Sequence, residues 1–362
     1  LKEVTILDGY EKIADYAFTN CISLTTINIP SSVSVIGKNA FSNCTSLENV
    51  NIPIDVTAIE DYLFYNCIKL SNIIIPSNIS SIGNYAFSKC TSLTSIIVPN
   101  SVISIGKSAF SNCNTLEKIT IPFVGKSKDE NGVFGYIFGA SSYYYNGDYV
   151  PSSLKEVTIL DGCEKIVDHA FYRCNLLTTI NIPSSVLVIE SYTFSNCDSL
   201  IIYCKALSSQ NGWDSTWNPN DRPVYYGITS ENSFQIDELI YVIQNDEAVI
   251  TRYIGDSSTI DIPNKVQLND KEYNVSSIGN YAFSKCSSLT SVIIPNNIIS
   301  IGYSAFSNCK ALEKITIPFV GKSKDENGIF GYIFGTPVYN YNDSYIPSSL
   351  KEVTILEGCE KI

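Results

Sequence analysis

The sequence predicts a right-handed solenoid of the α/β class, strand-rich with short helical turns, in which each coil adds one strand to a parallel sheet. Three observations predict it. Pro30, Pro53, Pro76, Pro99 and Pro122 recur every 23 residues. Phe18, Phe41, Phe64, Phe87 and Phe110 keep the same step, and so do Cys21, Cys44, Cys67, Cys90 and Cys113. A leucine opens each coil at positions 1, 24, 47, 70, 93 and 116. A fixed period of this length marks a stack of small units, none of which can bury its apolar face alone.

Each element of a coil follows from its residue types. From Leu24, the alternation of Leu24, Ile27 and Ile29 with Thr26 and Asn28 makes a strand that buries one face and wets the other. Pro30 ends the ladder because it has no N–H to donate. Val33, Ile36, Ala40 and Phe41 turn inward along the return, and the Ala-Phe pair suits a single helical turn better than a strand.

The leucines continue at 154, 177 and 200, then at 289, 312 and 350. The steps of 38 from Leu116 to Leu154 and from Leu312 to Leu350 exceed one coil by 15 residues, which marks an insertion in each. Residues 116–166 align with 312–362 and differ at nine positions, seven of them between Ala140 and Val150 and their counterparts. Duplication of a large block explains this. The step of 89 from Leu200 to Leu289 breaks the array. It holds a Trp segment around Trp213 and Trp217, then a stretch from Asp237 to Gly255 that reads as a hairpin around Gln244 to Glu247. The expected organisation is a first array at 1–207 with an insertion at about 123–150, and a Trp-containing cap at 208–227. A β-hairpin cap and linker follows at 228–262, then a second array at 263–362 with an insertion at about 319–346. Since Leu1 and Ile362 both fall inside a coil and no methionine occurs, the chain reads as a segment of a longer protein.

The pattern L-x-x-I-x-I-P-x-S-V-x-x-I-G-x-x-A-F-x-x-C resembles the BspA-type leucine-rich repeat of secreted and surface proteins of host-associated bacteria. Matching coils start at Leu1, Leu24, Leu47, Leu70, Leu93, Leu154, Leu177, Leu289 and Leu312. The resemblance implies a leucine-rich-repeat horseshoe or gently twisted solenoid, displayed outside the cell and linked to adhesion. The recurring positions are not specific for a ligand, because every one of them is a core position, and the family carries no catalytic residues to transfer.

Composition narrows the function classes further. A net charge of −12 argues against nucleic acid and anionic membrane surfaces, which demand clustered Lys and Arg. The longest apolar runs, such as Ile73 to Ile75, are far too short to cross a bilayer. Nine of the 12 cysteines (21, 44, 67, 90, 113, 174, 197, 286 and 309) fall three residues after the coil phenylalanine, where parallel stacking predicts reduced, inaccessible thiols rather than disulfides. Cys163 and Cys359 stand where the first block has Tyr10, which argues against a fixed bridge there. With no CxxC pair and a single histidine, His169, a zinc site is excluded.

His169 takes the place of Tyr16, Asn39, Tyr62, Tyr85 and Ser108, which predicts a solvated outer position without the orienting partner that catalysis needs. Gly125-Lys126-Ser127 imitates the end of a phosphate loop, but Thr120 stands where its first glycine is required. Ser127, Asp129, Asn131 and Gly132 imitate half of a calcium loop whose twelfth position is Phe138 rather than Glu. The expectation is therefore no enzyme, no cofactor and no metal.

Two surfaces remain for function. One is the outer strand face, where Asn28, Asn51, Ile74 and Ile97 form a flat, nearly uncharged strip. The other is the insertion loop, with Tyr143, Tyr144, Tyr145 and Tyr149 matched by Tyr339, Tyr341 and Tyr345. Tyrosine offers contact area and a hydroxyl at low entropic cost, which suits adaptable binding loops. The reading is a monomeric binding or adhesion scaffold, extracellular or on the cell surface, that recognises a protein or glycan. The alternative is a structural spacer of a larger surface protein with no ligand of its own.

Overall fold

The computed structural model describes every residue except 221, 228, 327, 337–344 and 360–362. The chain divides into two compact units, Leu1–Thr229 and Ser230–Ile362.

In the first unit the strands Glu3–Thr5, Thr26–Asn28 and Asn49–Val50 pair in parallel, with Glu3 opposite Thr26 and Thr26 opposite Asn49. A second parallel sheet takes Ser95–Ile97, Lys118–Ile121, Glu156–Ile159, Thr179–Ile182, Ile201–Cys204 and Val224–Tyr226 in that order. Another side of the coil carries two-residue rungs such as Ala58–Ile59, Ser81–Ile82 and Ser104–Ile105. The alternation read from sequence is present: Ile27 is buried between exposed Thr26 and Asn28. Leu24, Ile27, Ile29, Val33, Ile36, Ala40, Phe41 and Cys44 are each at most 2% exposed. Phe18, Phe41, Phe64, Phe87 and Phe110 stack with centroids 5.4–5.7 Å apart. The outermost ring, Phe18, is only half-buried, because no ring covers its other face.

The Ala-Phe segment is not the helical turn expected from its composition. The N–H groups of Tyr16, Phe18 and Asn20 donate to Lys38, Ala40 and Ser42 of the next coil, while those of Ala17, Thr19 and Cys21 close onto their own turn. Such alternation places Tyr16 and Asn20 in the left-handed region, at φ of +62°, and the same pair of positions recurs at +56° to +62° through Ser108 and Asn112. The asparagines add an amide ladder, Asn66 to Asn43 to Asn20, at 2.9 and 3.0 Å. Beneath it the thiols of Cys44, Cys67, Cys90 and Cys113 donate to the carbonyls of Phe18, Phe41, Phe64 and Phe87 at 3.1–3.3 Å. All twelve cysteines are free. Cys21 and Cys286 are only half-buried, which corrects the expectation that all nine ladder thiols are inaccessible.

Part of the insertion is core. Phe123, Val124, Phe134, Ile137 and Phe138 are at most 1% exposed. The short 3-10 helix Phe134–Phe138 puts the Phe134 ring 4.8 Å from Phe171, filling the phenylalanine slot of its coil. Trp213 and Trp217 join the same core, Trp217 packing edge-on to Phe194 at 5.7 Å. Gly212–Trp213 and Val224–Tyr226 add rungs to the two ladders, so the Trp segment is itself a coil.

One coil departs from the others. Among the described residues, 71–75 make no main-chain hydrogen bond to either neighbouring coil, and the outer sheet is interrupted there. Val50, Ile73 and Ile75 are 9%, 7% and 7% exposed, against 3%, 0% and 1% for Ile96, Val98 and Ile119.

In the second unit Ser233–Ile236, Leu239–Gln244 and Glu247–Tyr253 are antiparallel, with Gln244 opposite Glu247. Lys265–Leu268 and Lys271–Ile278 form a further hairpin, and Lys271–Ile278 runs parallel to Glu247–Tyr253. The two tight turns, Asn245-Asp246 and Asn269-Asp270, have φ of +51° and +66°, and +47° and +62°, as twist-matched hairpins require. Thr259–Asp261, Ser291–Ile293, Lys314–Ile317 and Glu352–Ile355 make the parallel sheet. Tyr253 stacks on Phe283 at 5.4 Å and so covers the first phenylalanine of this stack.

Candidate binding surfaces

After the buried half of the insertion the chain forms a ledge at residues 143–149. Its anchor is Asn146, fully buried, whose Oδ1 accepts the Gly135 N–H and whose Nδ2 donates to the Ala170 carbonyl, each at 3.0 Å. The four tyrosines of the ledge then divide. Tyr144, Tyr145 and Tyr149 are 56%, 48% and 49% exposed. Tyr143 is half-buried, its ring 4.3 Å from His169 and 4.1 Å from Tyr144, and the hydrogen bond with Tyr144 pushes its hydroxyl up to about 12. Arg173 Nη1 donates to the Tyr144 carbonyl at 3.1 Å and ties the ledge to the next coil. In the second unit Tyr345 is 47% exposed, whereas Tyr339 and Tyr341 lie outside the described residues.

His169 is not the solvated residue that variation at its position suggested. Its side chain is 20% exposed, between Tyr143 and Tyr192, because the ledge folds over it. Its Nδ1 lies 2.7 Å from Asp168 Oδ2, but the Ser191 hydroxyl donates to the other oxygen of that carboxylate. A hydroxyl nucleophile must meet the imidazole, so this arrangement does not activate Ser191. The ladder thiols are no better placed: burial pushes Cys113 and Cys197 up to about 12. Among the described residues, no group of three His, Cys, Asp or Glu side chains could hold a metal ion, and no helix is long and apolar enough to cross a membrane.

The second surface is an open groove of about 460 Å³ on the outer sheet face, lined by Thr26, Ile27, Asn28, Asn49, Val50, Asn51, Asn72, Ile73 and Ile74. It brings together Asn28, Asn51 and Ile74 of the strip read from sequence, with Ile74 77% exposed. Ile97 stands one coil further on, opposite Thr120. Sequence reasoning followed only one of the two outward positions of each strand and so missed Asn49 and Asn72. The same alternation, applied two residues earlier, would have found them.

Residues 11–134, 145–209 and 264–362 match the family described as the BspA type leucine rich repeat region, in six copies. Among solved structures, a leucine-rich repeat protein from Bacteroides ovatus is 22% identical over 98% of this chain and 92% of its own, with a TM-score of 0.36. A leucine rich cell surface protein from Faecalibacterium prausnitzii is 23% identical over 98% and 88%, with a TM-score of 0.34. A leucine rich repeat protein from T. pallidum is 26% identical over 55% and 77%, with a TM-score of 0.34. No curated protein matches the chain.

Proposed function

Because the chain belongs to the BspA-type leucine-rich-repeat family, we propose that it is a non-catalytic recognition scaffold, secreted or held on a bacterial cell surface. It binds a host or bacterial protein or glycan through the tyrosine ledge of residues 143–149. The observation that carries this reading is the contrast at Asn146. A fully buried, doubly hydrogen-bonded residue sits between tyrosines that are about half exposed. Their main chain is thus fixed before any ligand arrives, which lowers the entropy lost on binding. Phenol rings held this way present apolar area with a hydroxyl at the rim.

The test is a panel of glycans and matrix proteins against the whole chain and a variant carrying Tyr144→Ser, Tyr145→Ser and Tyr149→Ser. Binding by the parent and loss in the variant supports the reading. Equal binding by both overturns the ledge as the site, and no binding by either favours a structural spacer.

A further inference from the structure

We infer that the interrupted sheet at residues 71–75 forms a second binding site, distinct from the tyrosine ledge, and that it takes a neutral oligosaccharide. Three observations converge on the groove. First, the main-chain N–H and C=O groups of 72–74 have no partner among the described residues, although the other coils of this sheet use the equivalent groups in their ladder. Such groups demand partners, from water or from a ligand.

Second, the side-chain amides of Asn28, Asn49, Asn51 and Asn72 make no hydrogen bond among the described residues. By contrast Asn181, at the position equivalent to Asn28 in another coil, is 5% exposed and donates to Thr158 Oγ1 at 3.1 Å. The groove therefore holds its amides free, each offering two donors and an acceptor. Third, the lining carries no charged side chain in a chain of net charge −12. A charged ligand would lie there without a counter-charge, whereas vicinal hydroxyls match amide donors and acceptors in alternation. Ile74 and the partly uncovered Val50 and Ile73 supply the apolar floor on which the C–H face of a sugar ring rests. The volume falls within the ~300–1,000 Å³ of small-ligand clefts.

The test uses the whole chain and hydrogen exchange of the main-chain amides at 72–74, with cellohexaose, mannohexaose, a heparin hexasaccharide and an acetylated hexaserine peptide as probes. These amides should exchange fast in the free protein and slow at least severalfold with a neutral hexasaccharide. Asn51→Ala with Asn72→Ala should weaken its affinity roughly thirtyfold, as expected for the loss of two hydrogen bonds of ~1 kcal/mol each. The triple tyrosine variant should bind it unchanged, which separates this site from the ledge. Slow exchange in the free protein would overturn the inference. So would protection only by heparin or the peptide, or affinity indifferent to the asparagines. If the double variant does not fold, protection of the parent by the neutral sugars decides.

Discussion

The Cys67 thiol donates to the Phe41 carbonyl at 3.2 Å, across the boundary between one coil and the next. The same carbonyl accepts the Cys44 N–H, so both of its lone pairs are used. A small side chain with a donor, set against a buried carbonyl, explains why this position favours cysteine. Native protein treated with a thiol reagent should modify Cys21, Cys286 and Cys359 well before Cys44, Cys67, Cys90 and Cys113. Equal rates at all of them would contradict the ladder.

Alkaline pH should destabilise the fold. Burial pushes Cys113, Cys197 and Cys204 up to about 12, above the ~8.5 of an unfolded thiol. The folded chain therefore keeps these protons while the unfolded chain releases them. Stability is fully present below about pH 8.5 and falls as pH rises toward 12, by about 1.4 kcal/mol per pH unit for each such thiol. Melting temperatures measured from pH 7 to pH 10 should show the decline, and Cys113→Ala should make it shallower.

The ledge tyrosines should separate by their roles. Replacing Tyr144, Tyr145 and Tyr149 by Ser should leave the melting temperature within a degree or two, because these rings are about half exposed. Tyr143→Ser removes the ring stacked on His169 and should cost about 1 kcal/mol. Thermal scans of the two variants side by side check this.

Asn146→Ala should be more costly than any single ledge tyrosine. It strands the buried Gly135 N–H and removes one donor from the Ala170 carbonyl, at about 2–3 kcal/mol. Chemical denaturation of the variant should show the loss at unchanged m-value.

Phe64→Ala should cost about 3–5 kcal/mol, since Phe64 is fully buried between Phe41 at 5.7 Å and Phe87 at 5.5 Å. Phe18→Ala should cost less, because Phe18 is half-buried with a single stacking neighbour. Equal losses would show that stacking depth does not set the energy.

The sequence made the coil legible because packing repeats. Phe41, Cys44 and Leu47 must each meet their copy one coil away, so a change at one place is seen against all the others. The left-handed turn residues were hidden for the opposite reason. Glycine usually marks positive φ, but here Tyr62, Lys89 and His169 adopt it because the inter-coil hydrogen bonds dictate it. The buried half of the insertion escaped notice because Phe134-Gly135-Tyr136 does not spell Ala-Phe, although Phe134 fills the same slot. The groove was invisible as well. Asn72-Ile73-Ile74-Ile75 is as good a strand as any in the chain, and its lost pairing is a property of the stack, not of the segment.

Under tension along the stack, the interruption at 71–75 acts as a mechanical weak point. Inter-coil hydrogen bonds lie nearly along the pulling direction, so neighbouring coils separate pair by pair. Between the coils of Phe64 and Phe87 the load passes through the turn bonds, such as Tyr62 to Asn84 and Phe64 to Ala86, and through the short rung of Ala58–Ile59 on Ser81–Ile82. The outer sheet carries none of it there. The joint between the coils of Phe87 and Phe110 is in the same position, held by turn bonds such as Phe87 to Ala109 and by the rung of Ser81–Ile82 on Ser104–Ile105. A stretched molecule would therefore yield at one of these two joints first, lengthening in a step while the stacked phenylalanines beyond them stay folded.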